Sequence, residues 1–133
     1  MRKKVNEPAV KDAVLTDNDE INVIVNAMLE KKAKDVVSLD MRKIGTSISD
    51  YFVICNADSS TQVAAVCDNV EEMMEAKCGR PAVRKQGREN AFWIILDYSN
   101  IVVHIFKTDQ RLFYRLEDLW ADAVKTEYKD EAE

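Results

Sequence analysis

A chain of 133 residues, 47% hydrophobic and 32% charged, has the size and composition of one soluble domain, and its three cysteines, with no CxxC spacing and only one histidine beside them, argue against a disulfide framework and a zinc site. The formal charge of −5 belongs to one end: Glu117 to Glu133 holds seven acids and two lysines, which leaves residues 1–116 balanced at 17 against 17. Without a basic stripe to neutralise phosphates, direct DNA binding is disfavoured. No apolar run approaches the roughly 20 residues of a membrane span or follows the basic N-terminus as a signal peptide would, so a cytoplasmic protein without a membrane anchor is expected.

Residues 1–16 show no sustained period and read as a flexible N-terminal arm. From Asp17, the residues Ile21, Ile24, Val25, Met28 and Leu29 share one helical face, with acids early and Lys31, Lys32 and Lys34 late, as the helix dipole favours. Asp35–Asp40 predicts a short strand, Met41–Ser49 a polar connector, and Asp50–Asn56 a nearly continuous apolar strand of the kind covered on both faces. Ser59 or Ser60 then caps a second helix carrying Val63, Val66, Cys67, Val70, Met73 and Met74, which Gly79 ends and Pro81 prevents from continuing. Ala82–Gln86 predicts another short strand. Phe92–Leu96 and Ile101–Phe106 flank the turn Asp97-Tyr98-Ser99-Asn100 and read as a β-hairpin. Beyond Lys107, Thr108 or Asp109 caps a last helix on which Leu112, Leu116, Leu119 and Trp120 recur at spacings of three and four. The expected folded domain covers residues 17–122, followed at 123–133 by an acidic C-terminal tail that either aids solubility alone or meets a basic partner.

This order predicts an α/β fold: a mixed β-sheet of about five strands flanked by helices, with an antiparallel hairpin and a right-handed crossover from the second strand through the second helix to the third. With three glycines and neither GxGxxG nor a P-loop, dinucleotide and P-loop chemistry is disfavoured. The sole histidine, His104, sits on a strand without a nucleophile motif or an orienting partner, which favours packing or an interface over general-base work. Asp40, Asp50, Asp58 and Asp97 have the oxygen chemistry for a hard cation, yet they lie at strand ends, where capping is the common role; no metal and no cofactor are expected. Trp93, Phe113, Tyr114 and Trp120 are either core residues or anchors of an interface. Alternation places Trp93 and Ile95 opposite Phe92, Ile94 and Leu96, and one of those faces must point away from the helices or be covered by a partner. Tyr98 is expected to be exposed at its turn, and Arg111 or Arg115 to pair with Glu117 or Asp118.

Read together, KAKDVVSLDMR, SDYFVICNADSSTQVAAVCDNVEEMM and FWIILDYSNIVVHIFKTDQRLFYRLEDLW resemble the ribosomal silencing factor family, also called RsfS or Iojap-like proteins, over roughly Ile21 to Ala121. The pieces that carry the resemblance are Asp50-Tyr51-Phe52-Val53-Ile54, the Trp93 strand through Leu96-Asp97-Tyr98, Val103-His104-Ile105-Phe106, and Phe113-Tyr114-Arg115-Leu116-Glu117 leading to Leu119-Trp120. The chain departs from the family at Asn56-Ala57, where a serine and a glycine are usual, and at Ser99, where a glycine is usual; both departures bear on local loop geometry.

The resemblance implies a small α/β domain with nucleotidyltransferase-like topology but without that class's Gly-Ser loop and aspartate-any-aspartate strand, hence a fold without the chemistry. It also implies a non-enzymatic translation repressor that binds the fourteenth protein of the large ribosomal subunit, blocks subunit joining sterically under nutrient limitation, and forms a homodimer when free. The candidate partner-binding residues are Asp50, Tyr51, Trp93, Asp97, Tyr98, His104, Phe106, Tyr114 and Trp120, with no catalytic residue among them. The competing reading is a nucleotide-binding or nucleotidyltransferase-like enzyme, which needs metal-binding acids in a cleft and a basic residue for phosphates.

Overall fold

Thr16 and Asp19 open the first helix with a capping box: the Thr16 hydroxyl accepts the Asp19 N–H at 3.1 Å and the Asp19 carboxylate accepts the Thr16 N–H at 3.0 Å. The computed structural model describes residues 15–45 and 49–129, so residues 1–14 of the expected arm and 130–133 of the expected tail lie outside the described residues. Helix α1 (Asp17–Glu30) ends before the lysines expected in its last turn, because Lys32 takes a left-handed φ of 63° and Lys34 already begins the first strand.

The remaining elements are β1 (Lys34–Asp40), β2 (Tyr51–Ala57), α2 (Ser60–Cys78), β3 (Arg84–Gln86), β4 (Trp93–Asp97), β5 (Ile101–Lys107), α3 (Thr108–Tyr114), α4 (Leu116–Leu119) and β6 (Val124–Tyr128). They form an α/β fold with one six-stranded mixed sheet of order β3-β4-β5-β2-β1-β6. Strands β2 and β5 are parallel and every other neighbouring pair is antiparallel. The expected hairpin is β4–β5. The connection through α2 leaves β2 and returns at β3, two positions beyond the parallel neighbour β5.

Two expectations are corrected. The stretch assigned to an acidic tail contains β6, which pairs with β1 from Val36↔Tyr128 to Asp40↔Val124 and joins the Tyr128 and Ser38 hydroxyls at 3.0 Å. Val124, Thr126 and Tyr128 carry a period-two β pattern that the interleaved charges obscure. The last helix is also two helices, because Arg115 turns left-handed (φ 50°) between α3 and α4.

Helices α1 and α2 cover one face of the sheet. Ile24, Val25 and Met28 from α1 and Val63, Val66, Val70 and Met74 from α2 meet Val53, Cys55, Ile94, Leu96, Ile101, Val103 and Ile105, all buried. Each large aliphatic side chain buried there contributes about 1.5–3 kcal/mol. Asn69 fastens the two helices, donating to the Ala27 carbonyl at 2.8 Å and to the Glu30 carboxylate at 3.0 Å. Gly79 supplies the left-handed end of α2 at φ 64°. Gly87 is needed for space as well as conformation: at φ 85°, a Cβ there would stand 2.1 Å from the Trp93 carbonyl oxygen.

The other face carries a smaller core of Val37, Leu39, Met41, Phe52, Ile54 and Phe106, against which Leu116, Trp120 and Ala123 pack. Arg111 holds this cover in place. Buried, it donates from Nη1 to the Asp35 carbonyl (2.6 Å) and Asn56 Oδ1 (2.8 Å), and grips Glu117 through Nε (3.0 Å) and Nη2 (2.8 Å). Arg115 pairs with Asp118 at 2.7 Å on the surface, so both expected partnerships form. Among the described residues, no helix is long and apolar enough to cross a membrane.

Candidate protein-docking face

Strand alternation sends Trp93, Ile95 and Asp97 of β4, and Val102, His104 and Phe106 of β5, to the face away from α1 and α2. Register sets them side by side, with Trp93 opposite Phe106, Ile95 opposite His104 and Asp97 opposite Val102, while Phe52 of β2 lies beside Val102. An aromatic series results. Trp93 stacks on Phe106 (centroids 4.8 Å apart), Tyr114 meets Trp93 at 4.9 Å, and Phe113 meets Tyr114 edge-on at 5.1 Å. It runs from core to solvent: Phe106 is fully buried, Tyr114 is 50% exposed and Phe113 is 76% exposed. Beside it, Phe52, Ile95, Val102 and His104, with Arg84, Gln86 and Asp97, line a shallow hollow of about 250 Å³.

His104 is 5% exposed. Its Nδ1 accepts the Trp93 indole N–H at 3.1 Å, and an imidazole nitrogen that accepts carries no proton, so the neutral ring bears its hydrogen on Nε2. Burial pushes its pKa down to about 4, which keeps the ring neutral near pH 7. Nε2 is buried and finds no hydrogen-bond partner among the described residues, a state that costs about 1–3 kcal/mol in the free protein. With Nδ1 accepting from Trp93 and the proton on Nε2, the ring has no free lone pair with which to take a proton.

The structure sorts the sequence candidates. Trp93, Asp97, His104, Tyr114 and Trp120 border the open face or its cover, with Trp120 edge-on to Phe52 at 6.1 Å. Phe106 is fully buried beneath Trp93, so it supports the face without offering surface. Tyr98, expected to be exposed, is 0% exposed and packs in the helix-side core with Arg80 over its ring at 5.8 Å. The cause is alternation: Tyr98 continues the Ile94–Leu96 side, and the reversal is made one residue later by Ser99 (φ 76°), whose N–H is accepted by the Asp97 carboxylate at 2.7 Å. Burial holds the Tyr98 hydroxyl well above the usual phenol range.

Tyr51 packs against the helix-side core, with Arg42 at 5.2 Å over its ring, and Asp50 is exposed just before it; neither joins the aromatic series. Sequence reasoning left out Phe52, Ile95 and Val102 as site residues, although the alternation that placed Trp93 and Ile95 together was the signal for them. It also left out Leu112 and Leu119, because an unbroken helix would have buried the leucine stripe that Arg115 divides.

The acids do not converge on a cation site. Asp40 is held below the usual carboxylate range by the Arg42 guanidinium, and Asp58 by Lys34 and the Thr108 hydroxyl; Asp97 caps the turn. On α2, Cys67, Asp68 and Glu71 cluster, but Asp68 pairs with Arg88 at 3.0 Å, Glu71 with Lys85 at 3.0 Å, and burial pushes the Cys67 thiol up to about 12. The two carboxylates are engaged in ion pairs that tie α2 to the β3 region, and the thiol stays protonated.

Sheet, helices and aromatic face define a class: a small α/β protein with one sheet face covered by helices and the other only half covered. Residues 15–133 match the family model described as ribosomal silencing factor during starvation, and the chain belongs to that family. It is 36% identical to the ribosomal silencing factor RsfS of Halalkalibacterium halodurans, covering 85% of this chain and 95% of that one, and 34% identical to the RsfS of Bacillus subtilis, covering 77% and 86%. The chloroplastic Iojap protein of Arabidopsis thaliana is 30% identical, covering 84% of this chain and 48% of that protein. A crystal structure from Chromobacterium violaceum superposes with a TM-score of 0.76 at 27% identity, covering 80% of this chain and 88% of that one. Another, from Bacillus halodurans, gives 0.72 at 34%, covering 84% and 100%. The family is regulatory and non-enzymatic.

Proposed function

We propose that this chain seats its open sheet face on the fourteenth protein of the large ribosomal subunit and, as a steric obstacle there, blocks subunit joining and represses translation when nutrients are scarce. The observation that carries this reading is the aromatic series Trp93–Tyr114–Phe113, which leaves large side chains exposed beside an uncovered half of the sheet. Tryptophan and tyrosine are over-represented among interface hot spots. A net charge of −5 complements a basic ribosomal partner and steers the encounter. In the free state two copies pair, and the protein acts in the cytoplasm.

Sedimentation tests the reading. Added to ribosomal subunits, the protein should travel with large subunits and shift profiles from joined ribosomes towards free subunits, while large subunits lacking the fourteenth protein should leave it behind. Tyr114→Ala, at a half-exposed position, should weaken the association by roughly 1–4 kcal/mol with unfolding unchanged. Equal retention on subunits with and without that protein would refute the assignment of partner.

A further inference from the structure

Resting on the docking reading above, we propose that His104 is a recognition residue whose Nε2–H donates to a neutral carbonyl oxygen of the partner, a main-chain carbonyl or a side-chain amide, inserted into the hollow bounded by Phe52, Ile95 and Val102. Three observations converge. The Trp93 indole N–H fills Nδ1 and so fixes the proton on Nε2. That donor is buried without a partner among the described residues, and a group of this kind gains more from meeting an acceptor than an already solvated one does. The ring lines a recess whose walls are mostly apolar, on the face that α3 and α4 leave open.

The acceptor is neutral for an electrostatic reason. A carboxylate driven against Phe52, Ile95 and Val102 would lose its water and would meet the like charge of Asp97, which lines the same hollow. A carbonyl of an extended segment carries no such penalty and satisfies the donor with one bond. Access lies along the edge strand β3, whose Arg84 and Gln86 are exposed and border the same hollow; their side chains part as the partner's segment enters. Trp93 is therefore a positioning residue as well as a surface aromatic, because it selects the tautomer.

Large-subunit sedimentation and nitrogen-detected NMR of the free protein form the test. Long-range proton–nitrogen correlations should show His104 as the Nε2–H tautomer from pH 5.5 to 8. His104→Phe, which keeps a ring and loses the donor, should weaken binding to purified large subunits by 10- to 100-fold, and His104→Gln, which restores an N–H, should recover part of that loss. Wild-type protein that fails to sediment with large subunits overturns the docking reading and this inference with it. Wild-type binding matched by His104→Phe overturns this inference alone. Should the phenylalanine variant not fold, an Nδ1–H tautomer in the free wild type, or proton uptake by His104 on binding, would be equally fatal to it.

Discussion

Arg111 is the residue on which the cover of the second sheet face hangs, and its replacement by methionine tests that claim. Methionine keeps the unbranched apolar stem but removes the guanidinium and with it the donors to Glu117, Asn56 and the Asp35 carbonyl. Breaking one side of a buried ion pair costs about 3–5 kcal/mol. The lower end applies here, because the Glu117 side chain is 23% exposed and water partly replaces what it loses. A loss of about 3 kcal/mol lowers the midpoint of thermal unfolding by about 10 °C in a domain of this size. Urea denaturation measures the first quantity and calorimetry the second. Since α3 carries Phe113 and Tyr114, loosening it should also weaken sedimentation with large subunits at temperatures where the variant stays folded. A stability loss under 1 kcal/mol together with undiminished docking would show that Leu116 and Trp120 hold the cover without the strut.

Three further outcomes are expected. His104 is neutral in the fold with a pKa of about 4 against 6.5 when exposed; between these values the unfolded chain binds more protons, so stability present above pH 6.5 falls by about 3 kcal/mol as the pH drops towards 4. The difference between wild type and His104→Phe in urea titrations across that window isolates the effect. Tyr98→Phe removes a buried hydroxyl that lacks a partner among the described residues, so equilibrium unfolding should show stability unchanged or raised by about 1 kcal/mol. Truncation after Asp122 removes β6 and bares the edge of β1; a lowered melting point and concentration-dependent aggregation should follow, whereas a truncated chain as stable as the full one would show that β6 contributes nothing to the sheet.

Most of the sheet was legible in the sequence because its strands are short apolar runs between strong breakers. Asp50–Asn56 and Ile101–Phe106 could hardly form anything else, and Gly79-Arg80-Pro81 closed α2 at the place the structure ends it. What stayed hidden depended on tertiary neighbours. Strand β6 is a charged segment that becomes a strand because β1 offers it an unpaired edge, and no local pattern reports that edge. The break at Arg115 occurs without glycine or proline, in a geometry stabilised by the Arg111–Glu117 grip across it. The site was half visible for the same reason. Alternation showed that Trp93 and Ile95 share a face, whereas the burial of Tyr98 required knowing that the reversal begins at Ser99 and not at Asp97.

The extent of the proposed docking footprint can be tested at the exposed leucines of α3 and α4. Leu112 and Leu119 are 72% and 73% exposed, and neither supports the second core, which takes Leu116 and Trp120 instead. An apolar side chain that exposed contributes almost nothing to folding, so Leu119→Glu should leave the urea midpoint unchanged within about 0.5 kcal/mol. Its effect on binding is the informative quantity. If the partner covers only the β4–β5 half of the sheet and the Trp93–Tyr114 pair, Leu119→Glu binds large subunits as the wild type does. If the contact continues over α3 and α4, a carboxylate driven against an apolar partner surface loses its water without compensation, and association falls by tenfold or more. The exposed leucines and Phe113 favour the second result, since apolar surface next to an aromatic anchor marks an interaction site more often than it marks idle surface. Tighter binding by the glutamate variant would refute that extension and show that the partner meets α4 with its basic side chains.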